Sequence, residues 1–283
     1  MQGRNPTDAI RAGRSTRRLA LAILAGLAVA APAQAGTLCT IVADAADGTV
    51  LREEGDCRTR VTPASTFKIP LAVIGFEAGV LRDAHAPVHG FEPGYPDWGG
   101  AAWRAPTDPS RWMTHSVVWY SQVIARQLGA AKLAAETARL GFGNADFSGD
   151  PGRDNGLERA WIMSSLKVSP AEQVVFLRRL ATRTLPVSAH ALDETHRIVT
   201  VSPAGDGWRL HGKTGMAFPR MADGTFDEAR AYGWYVGWAE KGGRTLVFAR
   251  LDQDDGAQAV SGGLRVRAAF LEGWPALAES LGR

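Results

Sequence analysis

Beyond residue 35 the apolar positions fall into two spacings, period two near both ends and helical in the middle. Leu38–Ala43 reads as a strand, Ala45-Ala46-Asp47-Gly48 as a turn with an Asp-Gly signal, and Thr49-Val50-Leu51 as the returning strand of a hairpin. A helix follows, carrying Ser65, Lys68 and the apolar run through Ile74 to about Gly79. Pro70 must lie in its first turn, because deeper in the helix it would remove a hydrogen bond and clash. Residues Ala86–Pro109 are rich in Pro, Gly and Trp without clear periodicity, the mark of a functional loop or a connection between lobes. Helical spacing returns over Ser116–Leu128 and Ala130–Leu140, punctuated by Gly129 and Gly141. Ser169-Pro170-Ala171-Glu172 is a capping box with proline at the first helical position, opening a helix to about Thr182; another spans Ala189–Val199.

Strand patterning then resumes. Trp208–His211 leads into Gly212-Lys213-Thr214-Gly215, where the strand is expected to end. Tyr232, Trp234, Val236 and Trp238 alternate with Gly233, Tyr235 and Gly237, and Lys241-Gly242-Gly243 turns into Thr245–Leu251. An amphipathic helix covers about Leu264–Leu281. The order predicts an α+β fold: one antiparallel sheet built from both chain ends, flanked by helices, with an inserted, mostly helical lobe. The α/β lobe is expected over about 36–82 and 200–283 and the helical lobe over about 83–199.

Composition changes this picture only at the N-terminus. The 283 residues are 45% hydrophobic and 22% charged, an ordinary globular balance with ample core. The formal charge of +3 misleads, since residues 1–35 hold five arginines against Asp8. Of the 32 Lys+Arg and 29 Asp+Glu, 27 and 28 then remain, a net of −1, which leaves no basic surplus for nucleic acid. The segment itself reads as a secretory signal: a basic region to Arg17-Arg18, an apolar run from Leu19 to Ala31, and Ala33-Gln34-Ala35 as a small-x-small cleavage site. That run of about 13 residues is short of the ~20 needed to span a bilayer, so no membrane association is expected after cleavage. The mature chain should begin near Gly36, in the periplasm or outside the cell. An oxidising compartment permits a bridge between Cys39 and Cys57, which flank the hairpin; two half-buried thiols are the other reading.

The chemistry is concentrated in Pro63-Ala64-Ser65-Thr66-Phe67-Lys68-Ile69-Pro70. Positions i and i+3 share a helical face, so Ser65 and Lys68 can meet. A serine hydroxyl needs a base to become a nucleophile, and lysine serves only as the neutral amine. Burial among Phe67, Ile69, Leu71, Val73 and Ile74 lowers a lysine pKa by up to roughly 3–5 units, which makes that amine accessible near neutrality. An isolated S-x-x-K is also what an N-cap serine and a snorkelling lysine produce. Three further motifs weigh against that plainer reading: Ser116-Val117-Val118 at a helix start, Phe142-Gly143-Asn144 after a helix, and Lys213-Thr214-Gly215 before Met216.

In order, spacing and flanking residues, these motifs resemble the S-T-F-K, S-x-V, Y-G-N and K-T-G elements of class D, oxacillinase-type serine β-lactamases. Ser116-Val117-Val118-Trp119-Tyr120-Ser121-Gln122, and Trp161 ahead of Ser165-Leu166-Lys167-Val168-Ser169-Pro170, extend the resemblance over the whole mature chain. The resemblance implies hydrolysis of β-lactams, with Ser65 forming the acyl-enzyme. It implies that Lys68 is N-carboxylated by carbon dioxide and acts as general base, supported by Val118 and Trp161. No dissociable cofactor or metal is implied. Ser116 would relay a proton to the leaving nitrogen, with Lys213 setting the electrostatics. The backbone N–H groups of Ser65 and Met216 would form the oxyanion hole, and Gly215 and Met216, following Thr214, would line the substrate site. Thr214 and Arg265, in Gly262-Gly263-Leu264-Arg265, match the carboxylate-binding pair. One departure is Phe142, where the family usually has tyrosine. Ser116-Val117-Val118 in place of S-D-N points away from class A.

Two rivals remain at this stage. Gly207–Thr214 matches the phosphate-loop pattern G-x-x-x-x-G-K-[ST], but Trp208–His211 reads as a strand and Gly215–Pro219 is a poor helix start. The closer rival is a penicillin-binding sensor or D,D-peptidase that acylates at Ser65 and turns over slowly. The six histidines show no metal-ligand spacing, and His211 reads as structural. A β-lactam small molecule is thus the one partner expected, with no nucleic acid; preferred substrates and oligomeric state are not encoded legibly.

Overall fold

The computed structural model describes residues 36–282; the expected signal segment, 1–35, lies outside them. In chain order the first elements are β1 (Gly36–Asp44), β2 (Val50–Gly55), a 3-10 turn (Ala64–Phe67) and α1 (Lys68–Glu77). The helical middle holds α2 (Ala101–Arg104), α3 (Pro109–His115), α4 (Val118–Leu128), α5 (Ala130–Leu140), α6 (Gly156–Arg159), α7 (Pro170–Ala181) and α8 (Ala189–Ile198). β3 (Val201–Pro203), β4 (Arg209–Ala217), β5 (Tyr232–Lys241), β6 (Arg244–Gln253) and α9 (Gly262–Ser280) complete the chain.

The six strands form one antiparallel sheet in the order β2-β1-β6-β5-β4-β3. β1 therefore pairs with β6, Ile41 opposite Ala249, and the two ends of the chain share one sheet. Side chains alternate across a strand, so each inner strand feeds two cores. On one face Val42, Leu210, Tyr235, Leu246 and Phe248 pack against Val266, Phe270, Trp274 and Ala278, a four-residue stripe along α9. On the other, Ile41, Trp234, Val236, Trp238, Val247 and Ala249 join α1, α7 and the remaining helices. α1 is buried on every side from Lys68 to Phe76, and each fully buried Leu, Val, Ile or Phe there contributes about 1.5–3 kcal/mol. None of the helices among the described residues is long and apolar enough to cross a membrane.

Three local expectations are corrected. The segment carrying Ser65 is a 3-10 turn, and the α-helix starts at Lys68, which puts Pro70 inside its first turn where the missing N–H costs nothing. Ser116 does not open a helix: it ends α3 in a left-handed conformation (φ 57°), and α4 begins at Val118. Lys213-Thr214-Gly215 does not end its strand, because β5 continues to pair with β4 as far as Ala217. The remaining helix limits move by one or two residues, and α5 spans Ala130–Leu140 as its spacing predicts. The capping box of α7 is complete, with Ser169 accepting from the Glu172 N–H and Glu172 from the Ser169 N–H. Cys39 and Cys57 are joined by a disulfide, with Cα atoms 5.1 Å apart. His211 stacks on Trp238 at 4.8 Å within the sheet.

Candidate active site

The turn carrying Ser65 is held from both sides by buried polar groups. Thr66 Oγ1 donates to Pro63 O at 2.8 Å and accepts from Gln173 Nε2 of α7 at 2.8 Å. The Trp234 indole of β5 donates to Thr62 O at 3.0 Å. Ala64 takes a left-handed φ of 50°, a conformation that persists only where its surroundings over-determine it. Gly215 of β4 lies against this turn. A side chain there would meet Pro63 O at 2.9 Å and Ser65 N at 3.4 Å, so glycine is what lets the strand approach.

Lys68 is 1% exposed, and its Nζ lies 3.3 Å from Ser65 Oγ. Burial, reinforced by the nearby charge of Lys213, holds its pKa well below the ordinary lysine value. Lys213 is also buried, its Nζ donating to the Thr214 carbonyl at 3.1 Å. Burial, with a smaller contribution from Arg267, lowers Lys213 to about 7. No carboxylate contributes to either depression. The charge of Lys213 makes Lys68 easier to deprotonate, and a neutral amine beside Ser65 is the base a serine nucleophile requires.

The walls are apolar. Val118 is buried at the first turn of α4, and Trp161 is buried with its ring stacked on Phe67 at 5.4 Å. The Trp161 indole N–H bonds no other described residue. Phe142, the departure from the family pattern, is fully buried against Phe67 (5.7 Å) and edge-on to Phe176 (5.4 Å). There it packs beneath the turn carrying Ser65 and brings no polar group. Ser116 stands at the α3–α4 junction, where its N–H donates to Trp112 O and its hydroxyl bonds no other described residue.

On the strand side, Gly262 and Gly263 let α9 reach the sheet: a Cβ on Gly263 would lie 2.6 Å from Gly215 O. Met216 follows, 41% exposed. Arg265, expected to pair with Thr214 around a carboxylate, donates to Asp254 and to the Val260 carbonyl. Asp254 is only 4% exposed. The sequence offered no signal for it, because the run Asp252-Gln253-Asp254-Asp255 looks like a solvated loop. Thr62, Gln173 and Arg267 were likewise missed. They are ordinary residue types whose importance lies in what they touch across the fold.

Gly207–Thr214 enters β4 with no helix behind it, which removes the cradle a phosphate loop requires. No group of three or more His, Cys, Asp or Glu among the described residues could hold a metal.

An antiparallel sheet carrying Lys-Thr-Gly beside a buried Ser-x-x-Lys is the arrangement of the penicillin-binding transpeptidases, and the penicillin binding protein transpeptidase domain matches residues 27–272. Within that class the similarity is narrower. The chain is 41% identical to β-lactamase OXA-9 of Klebsiella pneumoniae over 84% of its length and 87% of the relative's. It is 34% identical to β-lactamase OXA-1 of Escherichia coli over 78% of each chain. The crystal structure of the OXA-427 class D β-lactamase superposes with a TM-score of 0.80 at 42% identity, covering 86% of this chain and 99% of that one. The chain belongs to the class D serine β-lactamases.

Proposed function

We propose that the enzyme hydrolyses β-lactams through an acyl-enzyme on Ser65, with Lys68 as general base in N-carboxylated form. The observation that carries the reading is a fully buried lysine, 3.3 Å from a serine hydroxyl, with no acidic partner. The site suits the modification. The neutral amine is the form that adds to carbon dioxide, losing one proton to solvent. An anion there would sit beside Lys213, where two buried bases otherwise face each other, and the free Trp161 N–H is a donor of the kind such an anion needs. The carbamate supplies a carboxylate-type base in place of an amine.

The roles of the remaining residues follow from their chemistry. Ser65 attacks the lactam carbonyl carbon, and the Ser65 and Met216 N–H groups are suited to the developing oxyanion, each such donor being worth roughly 2.7–4 kcal/mol. Ser116 has a free hydroxyl to pass a proton to the departing nitrogen, with Lys213 beside the path. Deacylation repeats the proton transfers with water as nucleophile. Thr214 and Arg265 are the candidates for the substrate carboxylate, charge-assisted recognition being favoured for a guanidinium. Residues 1–35 are read as an export signal, so the working enzyme is the chain from about Gly36, with an α/β lobe and a helical lobe, in the periplasm or outside the cell.

Purified enzyme is expected to turn over benzylpenicillin and a chromogenic cephalosporin steadily, and Ser65→Ala to abolish this. Full turnover by the alanine variant refutes the nucleophile. A wild-type burst that stops at a stable acyl-enzyme mass replaces hydrolysis by the sensor reading.

A further inference from the structure

Thr62 precedes the nucleophile by three residues, is buried, and uses its hydroxyl twice. Oγ1 donates to the Trp161 carbonyl at 3.1 Å and accepts from the Met163 N–H at 3.1 Å. One hydroxyl thus closes both ends of the turn that displays the Trp161 indole, with its single donor and an acceptor lone pair both occupied. Its own carbonyl is taken by Trp234 Nε1, which ties the same residue to β5. One position earlier, Val61 and Val168 exchange both backbone bonds, at 3.1 and 2.9 Å. The 161–168 loop is therefore stitched to the nucleophile's own segment at two points.

The turn is not self-supporting. Met163 adopts a left-handed φ of 57°, which a non-glycine residue keeps only when its surroundings hold it. The ring of Trp161 is restrained on one side by the stack on Phe67, which limits its tilt. A stack alone leaves the ring free to slide in its own plane. The two backbone bonds to Thr62 remove that freedom, and so set the direction of the indole N–H.

We infer that Thr62 is a positioning residue for the carboxylation of Lys68: its hydroxyl holds Trp161 in register with Ser65 and Lys68, and the modified lysine is stable only while that hydroxyl is present. The inference rests on the carbamate reading above. Position 62 needs both a donor and an acceptor, so serine can replace threonine, while valine, of the same shape, cannot.

The test is carried out on the purified enzyme. With 13C-bicarbonate, the carbamate carbon is followed by NMR, and turnover is titrated against bicarbonate. For Thr62→Val we expect the half-saturating bicarbonate concentration to rise by about tenfold or more, the factor for each of the two hydrogen bonds left unmade. The carbamate signal should weaken in parallel, while stoichiometric acylation by a penicillin persists. Thr62→Ser should restore the wild-type values. Thr62→Ala is the second variant should the valine protein not fold, and the same shift is expected. A folded valine or alanine variant with wild-type half-saturation and carbamate signal overturns the role of Thr62 alone. A wild-type enzyme with no carbamate signal and no bicarbonate dependence overturns the underlying reading and this inference with it.

Discussion

Replacing Lys213 by methionine should make the protein more stable and inactive, by an amount that depends on pH. Lys213 is 4% exposed, and burial, followed by the charge of Arg267, brings it to about 7 from an ordinary 10.5. Between those two values the unfolded chain carries a proton at this position that the native protein lacks, so wild-type stability rises with pH across the window. Below about pH 7 both states are protonated, and the full cost of burying the ammonium is present, at most about 5 kcal/mol. Above about pH 10.5 both are neutral and the cost is gone. Methionine fills similar volume and does not titrate. The stability advantage of Lys213→Met should therefore be greatest at neutral pH and shrink by about 1.4 kcal/mol per pH unit above it. Lys68 is lowered chiefly by its own burial, which is the same in both proteins, and only the smaller push from the Lys213 charge is lost with methionine. Urea unfolding at pH 7.5, 8.5 and 9.5 in buffer free of carbon dioxide reads this directly, with a narrowing of about 2.7 kcal/mol expected over the range. A gap that does not change with pH refutes the buried-lysine argument. Repeating the series in bicarbonate adds a second check. An anion on Lys68 would pull the Lys213 pKa back up, so the slope between pH 7.5 and 9.5 should flatten. Identical slopes in the two buffers would show that the lysines are not paired in this way.

Two further outcomes are expected. Arg265→Ala should raise KM for β-lactams bearing the ring carboxylate more than for their neutral esters, and Asp254→Ala should do the same to a smaller degree, since Asp254 holds the guanidinium; equal effects on acid and ester would refute carboxylate recognition. Replacing Cys39 and Cys57 together by alanine should lower stability by about 3 kcal/mol, the chain-entropy value for a loop of this length, measured by urea unfolding. A loss below about 1 kcal/mol would mean that the bridge constrains little in the unfolded chain.

Much of the site was legible because it is local. Ser65 and Lys68 are one helical turn apart, so their meeting follows from spacing alone, and the apolar residues after them announce a buried helix. Lys213-Thr214-Gly215 and Ser116-Val117-Val118 were identifiable by type and order, but their conformations were not. The strand limit at Ala217 is decided by β5 on the far side of a long loop, and the left-handed Ser116 by how α3 and α4 meet. Arg265 shows the same limit: its residue type was found, its partner Asp254 was not.

What the chain encodes by itself is everything that depends on neighbours within a turn or a strand: the α+β order, the capping box, the hairpin, and the pairing of Ser65 with Lys68. What only the folded protein decides is who stands across from whom. The hydroxyl of Thr62 meets Trp161 and Met163 across about a hundred residues, Gln173 meets Thr66, and Gly215 lies against the nucleophile turn. Those contacts come from packing, where shape and burial choose the partners, and burial is also what brings two lysines well below their ordinary pKa.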